Sequence, residues 1–169
     1  MDVATLRHEK DRFFGASTDS PLTHDQRHSF TGLHYFPEDA RYRFEVTLEP
    51  ATTRVVEPVE TSDGSTSELL RAGRLRFRVD DQEASVVAYE QGHTLFIPFR
   101  DATSGNETYG AGRYVEAEPL GGGRYLLDFN RAYNPYCAYN ENWSCPLPPR
   151  ENWLEIAIRA GEQTYPHDA

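Results

Sequence analysis

Lysine is almost missing from this chain: of its 17 basic residues only Lys10 is one. Acidic residues outnumber basic ones, and the formal net charge is −10. Phosphate backbones are bound by a basic footprint, so nucleic acid is not the expected partner. An acidic, arginine-rich balance fits a GC-rich genome or a salt-adapted cytoplasm and says nothing about fold. No apolar run reaches the length of a membrane span. The N-terminal stretch MDVATLRHEKDRFF lacks the apolar segment of a signal peptide, so a cytoplasmic protein is expected. Catalytic signatures are scarce too. There is no GxxxxGK[ST] phosphate loop and no HExxH metal helix. Gly110-Ala111-Gly112 is no dinucleotide fingerprint, because a strand and not a helix follows it. No cofactor is predicted.

What is present is aromatic. Hydrophobic residues make up 38%, but rings make up 12%, with ten Tyr and nine Phe. Large rings bury much area from few positions. At 169 residues the chain is long enough for a sizeable core and is read as one domain, residues 1–169.

Residues 2–30 read as a helical N-terminal segment. Asp2 is a natural cap, and Val3, Leu6, Lys10, Phe13 and Phe14 fall near one helix face, with Gly15 offering a left-handed stop. A second short helix is expected from Thr23 to Phe30, capped by Thr23 or Ser20. Residues 41–160 read as an antiparallel β core. Tyr42, Phe44, Val46 and Leu48 alternate with charged or polar residues, as do Leu75, Phe77 and Val79. Asp80-Asp81-Gln82 and Gln91-Gly92-His93 mark turns around a strand from Ala84 to Tyr89. A strand follows from Thr94 to Phe99, where Pro98 predicts an edge, a bulge or a strand end. Gly121-Gly122-Gly123 joins Arg113–Glu118 to Arg124–Asn130, and a last strand is expected over Asn152 to Ile158. The acidic stretch Glu57–Glu68 reads as a mobile loop. Successive hairpins predict a mainly β protein, an antiparallel meander forming a barrel or half-barrel, with a β-sandwich as the alternative.

The densest chemistry lies between Leu95 and Ile158. The strings FIPFRDATSGNETYGAGRY, LDFNRAYNPYCAYN and CPLPPRENWLEIAIRAGE, with Ser20-Pro21-Leu22 and Gly32-Leu33-His34-Tyr35-Phe36 upstream, resemble a bacterial and archaeal family known as domain of unknown function 1684. The resemblance covers nearly the whole chain. It implies that these segments define the family, and it assigns no roles.

The residues are therefore read on their own chemistry. Arg100 and Asp101 follow an apolar strand, where a guanidinium can clamp an anionic ligand or an ion pair can pin a loop. Thr103-Ser104-Gly105-Asn106 is turn chemistry whose amides could nest an anion. After the triple glycine, Tyr125, Leu127 and Phe129 share one strand face, and Leu126, Asp128 and Asn130 share the other. Asp128 and Asn130 would project side by side as a polar site or, for Asp128, a general base. They could equally bond the following loop. Tyr109, Arg113, Tyr114, Tyr133 and Asn134 complete a candidate ligand-binding set.

Cys137 and Cys145 admit three readings: loop-packing thiols or a disulfide, a metal site, or a nucleophile. Their spacing matches no CxxC pair, and the further ligands that zinc requires would come from His24, His28, His34 or Glu141. His24 and His28 also stand at a metal-compatible i, i+4 spacing. Three functions stay open. The first is binding of a small polar or anionic ligand in a cleft of a curved sheet, lined by Tyr109, Tyr114, Tyr133, Asp128 and Arg100. The second is an acid–base enzyme with Asp128 as base and Arg100 as anion clamp. The third is an interaction domain presenting the Tyr133–Pro149 loop with Trp143.

Overall fold

The computed structural model describes residues 1–165. The chain opens with α1 (Val3–Ala16) and α2 (His24–Ser29), then runs through β1 (Arg43–Thr47), β2 (Glu49–Pro50), β3 (Val56–Glu60), β4 (Thr66–Val79), β5 (Gln82–Gln91), β6 (Thr94–Phe99), β7 (Arg113–Gly121) and β8 (Arg124–Asp128). The strands form one antiparallel sheet in the order β1-β8-β7-β6-β5-β4-β2, with β3 on β4. This sheet is nearly closed into a barrel. β1 pairs with β8, and two residues later β2 pairs with β4, so one stretch of chain joins both ends of the meander.

The alternation read in the sequence is the alternation that builds the wall. Leu75, Phe77, Val86, Ile97, Val115 and Leu127 belong to one buried cluster, while Val87, Phe96 and Tyr114, one residue away in sequence, are buried in separate clusters on the other face. Phe77 and Phe99 each bring a ring within 5.2 Å of Phe129, and Phe44 lies 5.1 Å from Phe77. Such ring pairs add about 0.5–1.5 kcal/mol each beyond area burial. These rings fill much of the space that the sheet encloses.

Hairpin chemistry matches the turns. Asp80 and Asp81 both take positive φ (44° and 68°), the conformation of a two-residue turn matched to strand twist. The long strand β4 carries a bulge between Arg71 and Gly73. There the Glu49 carbonyl oxygen lies 2.1 Å from where a Cβ on Gly73 would be, so closure of the barrel needs glycine at this point.

Four expectations are corrected. Gly15 is no left-handed stop: it lies inside α1, which ends when the Ser17 amide donates to the Phe13 carbonyl. Phe13 is exposed, and Val3 and Phe14 are the buried residues of that helix. Glu57–Glu68 is largely strand, since β3 and the start of β4 form a hairpin there. The segment Asn152–Ile158 is no ladder strand and bends at Glu155 and Ile156. It begins in a 3-10 turn, Arg150–Asn152, and runs beside residues 100–102 with a single bridge, Arg100 to Trp153. Leu154, Ile156 and Ile158 do face the core, which is what their spacing reported. Pro98 lies in β6 just past the point where pairing with β5 ends, at Tyr89–Phe96. In place of the missing ladder, the buried Asn152 side chain accepts from the Val87 amide (2.7 Å) and donates to the carbonyls of Val87 (2.9 Å) and Pro98 (2.8 Å).

Candidate functional site

Helix α1 starts from Asp2, whose side chain accepts from the Thr5 amide at 2.7 Å. Its apolar side docks through Phe14, which meets Tyr139 edge-on at 5.1 Å and packs with Leu22 and Phe30. The same face carries Arg7 and Lys10. Between α1 and the outer side of β7 lies a cleft of about 410 Å³, within the size range of small-molecule sites. Leu6, Arg7, Lys10, Tyr35, Glu116 and Tyr133 line it, together with Thr94, Glu118, Asn130, Arg131, Ala132 and Glu162.

Glu162 is almost wholly buried at one end of this cleft. It pairs with Lys10, and it accepts from the Tyr139 hydroxyl (2.8 Å) and from the Asn134 side chain (3.4 Å). The lone lysine also sits over the rings of Tyr133 (5.0 Å) and Phe14 (5.3 Å). Glu116 has a different environment. Its Oε1 accepts from the Tyr133 hydroxyl at 2.5 Å, and among the described residues it forms no ion pair. Burial pushes its carboxyl above the ordinary range, against the lowering effects of the Tyr133 bond and the Lys10 charge. Burial also pushes Tyr133 and Tyr35 well up, so both stay hydroxyl donors.

Arg7 is a sparsely used, half-buried guanidinium. Of its five N–H groups it places one on a protein acceptor, the Asn130 carbonyl at 3.4 Å, and it stacks on the Tyr35 ring at 4.5 Å. Its Nε and the Tyr35 hydroxyl are buried without a partner among the described residues. Burial lowers the Arg7 pKa, yet a guanidinium remains charged. The cleft therefore offers a spare cationic donor on one wall and a spare carboxyl oxygen, on Glu116, on the other.

The residues expected from sequence are distributed as follows. Tyr133 and Asn130 line the cleft. Asp128 lies beside it with its carboxylate taken: it accepts from the Asn130 amide (3.0 Å) and side chain (2.9 Å) and from Arg43 Nε (3.2 Å), with Arg131 Nε at 3.6 Å. Asn130 in turn holds the backbone of Asp39, accepting from its amide and donating to its carbonyl, both at 2.8 Å. Asp101 and Arg113 are buried elsewhere and grip the segment from Ile158 to Glu162. Arg100 stacks on Trp153 at 4.5 Å and does not line the cleft. Tyr114 donates to the Pro146 carbonyl (2.5 Å), and buried Asn134 donates to the Gln163 carbonyl (3.0 Å). Tyr109 donates to Cys137 Sγ at 3.8 Å. The loop from Tyr133 to Pro149 packs on its own chain through buried Tyr139 and Cys145, and the Trp143 indole donates to the Pro21 carbonyl at 3.0 Å.

Arg7, Tyr35, Glu116 and Glu162 were not singled out by sequence reasoning. One signal was visible: a lysine among the apolar positions of an amphipathic helix is a charge that must find a partner. No group of three or more His, Cys, Asp or Glu among the described residues is placed to hold a metal ion, and α2, with His24 and His28, buries no residue. No helix of the described residues is long and apolar enough to cross a membrane.

Comparison with known proteins adds kinship. A family model described as protein of unknown function (DUF1684) matches residues 28–163. The solution NMR structure of an uncharacterized protein from Haloarcula marismortui is similar, with 44% identity and a TM-score of 0.74 over 96% of this chain and 92% of that one. Among curated proteins nothing matches. Tyr35, Glu116, Tyr133 and Glu162 lie inside the segment matched by the family model, and Arg7 and Lys10 precede it.

Proposed function

The chain belongs to the DUF1684 family, and from that premise we propose that it binds a small polar ligand in the cleft between α1 and β7. The ligand carries an acidic group for Arg7 and a hydrogen-bond donor for Glu116, as a hydroxy- or amino-carboxylate does. One observation carries the reading: Arg7 uses one of its five donors on the protein, while Glu116 across the cleft keeps an oxygen unbonded. Lys10 is engaged with Glu162 and Arg131 with Asp128, while Glu118 stands exposed at the rim. Leu6 and Ala132 add apolar lining, and a few convergent polar groups in such a setting give orientation and specificity.

The test is a thermal-shift titration of the full chain against hydroxy-, amino- and plain carboxylates. A ligand that binds only the folded state raises Tm in a saturable way. Arg7→Met is expected to abolish the response. Glu116→Gln is expected to keep binding of plain carboxylates and to lose the preference for donor-bearing ones. An Arg7→Met response equal to the parent chain, or no saturable response to any of the three classes, sinks the proposal.

Acid–base catalysis in the same cleft is the second reading, supported by a buried carboxyl held above its ordinary range at Glu116. It requires that a ligand found by the titration be turned over, and that Glu116→Gln bind that ligand but not convert it. A ligand recovered unchanged after prolonged incubation with the parent chain argues for binding alone.

A further inference from the structure

Cys137 and Cys145 are eight residues apart and meet on the other side of Tyr133, in an apolar cluster with Phe96 and Tyr114. Their surroundings are unequal. Cys145 is buried, its amide donates to Ser62 Oγ at 3.0 Å, and its carbonyl accepts from the Ser62 amide at 2.9 Å, which pins it to the turn between β3 and β4. Cys137 is half-buried at the surface, in the short 3-10 turn Tyr136–Ala138. The Cys137 amide donates to Cys145 Sγ at 3.3 Å, and the Tyr109 hydroxyl approaches Cys137 Sγ from the opposite wall at 3.8 Å.

We propose that this pair is a thiol–disulfide exchange site, in which Cys137 attacks a small-molecule disulfide and Cys145 resolves the mixed disulfide. Two cysteines held side by side, one reachable and one buried behind it, have the arrangement that two-step exchange uses. Donors converge on the outer sulfur. The thiol of Cys145 comes first, then the hydroxyls of Tyr109 and Ser62, and together they hold the Cys137 thiol below its ordinary range against the opposing effect of burial. Cys145, which donates to Cys137, is held well above its own.

The steps balance. The Cys137 thiolate attacks one sulfur of the disulfide RSSR; a new S–S bond forms, the old one breaks, and RS⁻ leaves. Cys145 Sγ then attacks Cys137 Sγ, displacing the second RS⁻, which takes the proton from Cys145. Two protein sulfurs are oxidised to a disulfide and RSSR is reduced to one thiolate and one thiol. The product closes the loop from Cys137 to Cys145, which carries the Tyr139 ring packed against Phe14 of α1.

The experiment uses the full reduced chain, oxidised glutathione at neutral pH, acid quench, maleimide labelling and intact mass. The expected product from the parent chain is lighter by two hydrogens and takes no maleimide. Cys145→Ser is expected to stop at one glutathione adduct. Cys137→Ser is expected to form an adduct on the order of tenfold more slowly, because the remaining thiol is buried. If Cys145→Ser does not fold, limiting maleimide on the reduced parent chain followed by peptide mapping reads the order instead, and Cys137 must label first. Two adducts on the parent chain, reaction only after unfolding in urea, or equal labelling of both sulfurs overturns the proposal. None of these outcomes depends on a ligand in the α1–β7 cleft.

Discussion

Asp101 and Arg113 lie against each other in the interior and hold both backbone groups of Ile158: the carboxylate accepts the Ile158 amide at 2.6 Å, and the guanidinium donates to the Ile158 carbonyl at 2.9 Å. Arg113 reaches on to the carbonyls of Ala160 and Glu162. Asp101 also accepts from the Thr103 hydroxyl, at 2.9 and 2.8 Å. Two side chains thus supply the bonds that a neighbouring strand would have supplied. Removing one partner of a buried pair leaves the other charge uncompensated and costs about 3–5 kcal/mol. Arg113→Ala is expected to lose stability of that order in urea denaturation. Arg76→Ala, which breaks an exposed pair with Glu49, is expected to lose far less. Equal losses would mean that the clamp is not what holds the closing segment.

Asn152 does similar duty between β5 and β6. Asn152→Ala strands one buried amide and leaves two carbonyls without this donor, and a cost of about 3 kcal/mol or more is expected, at roughly 1–3 kcal/mol for each stranded group. Asn152→Asp is the sharper test. A carboxylate still accepts the Val87 amide, but its second oxygen faces the carbonyls of Val87 and Pro98. The introduced acid is held up by burial and by those carbonyls, so the folded state binds its proton more tightly than the unfolded chain does. The penalty is therefore present at neutral pH and shrinks as pH falls. Denaturation midpoints of the Asp variant should approach those of the parent chain on acidification, and a constant gap would count against this geometry.

The alternation of Leu75, Phe77 and Val79, or of Phe44 and Val46, was legible because each strand has one face on the core and one in solvent. The same logic misread Asn152–Ile158. Periodicity reports which side chains are buried, not where the backbone bonds go, and here they go to Asp101, Ala102 and Arg100. β3 was missed because Glu57, Pro58 and Glu60 break the apolar pattern; it pairs only with β4, so most of its side chains stay wet. In the cleft, Lys10 stood out on its helix face, but its partner Glu162 lies 152 residues away. No local pattern links the two. Asp128 and Asn130 do meet, but not as neighbours on one strand face: the strand ends at Asp128, which caps the 3-10 turn Phe129–Arg131, and the loop that Asn130 bonds is supplied by Asp39, 91 residues away.

Glu116 makes the cleft sensitive to pH. Burial raises its pKa above the ordinary 4.5, so the folded state holds the proton more tightly than the unfolded chain. Its contribution to stability is therefore largest below 4.5 and is lost as pH rises through the raised value. Glu116→Gln keeps an acceptor for the Tyr133 hydroxyl and removes the titration. Its stability is expected to depend less on pH between about pH 4 and pH 8, and at neutral pH to equal or exceed that of the parent chain. Urea denaturation across this range checks the sign. A variant that is less stable at neutral pH and unchanged in its pH slope would show that Glu116 is paired and charged in the fold.

Closure of the barrel rests on Gly73, where β4 bends and β2 crosses it. A Cβ there would meet the Glu49 carbonyl oxygen at 2.1 Å, and that oxygen belongs to the backbone, so no flexible side-chain end can move aside. Gly73→Ala must push β2 away and break the pairs Glu49–Arg74 and Pro50–Gly73, together with the 2.9 Å bond from the Ala51 amide to the Ala72 carbonyl. The expected cost is about 2–4 kcal/mol. Gly64, in the turn between β3 and β4, is the control: its φ of +86° also disfavours a side chain, but nothing lies within 4 Å of the added carbon. Gly64→Ala carries the backbone strain alone, about 1 kcal/mol. Hydrogen exchange separates the two effects, because only Gly73→Ala is expected to expose the Ala51 amide before the sheet as a whole unfolds. Equal destabilisation by the two variants, with Ala51 still protected, would mean that contact between β2 and β4 is not what shuts the wall.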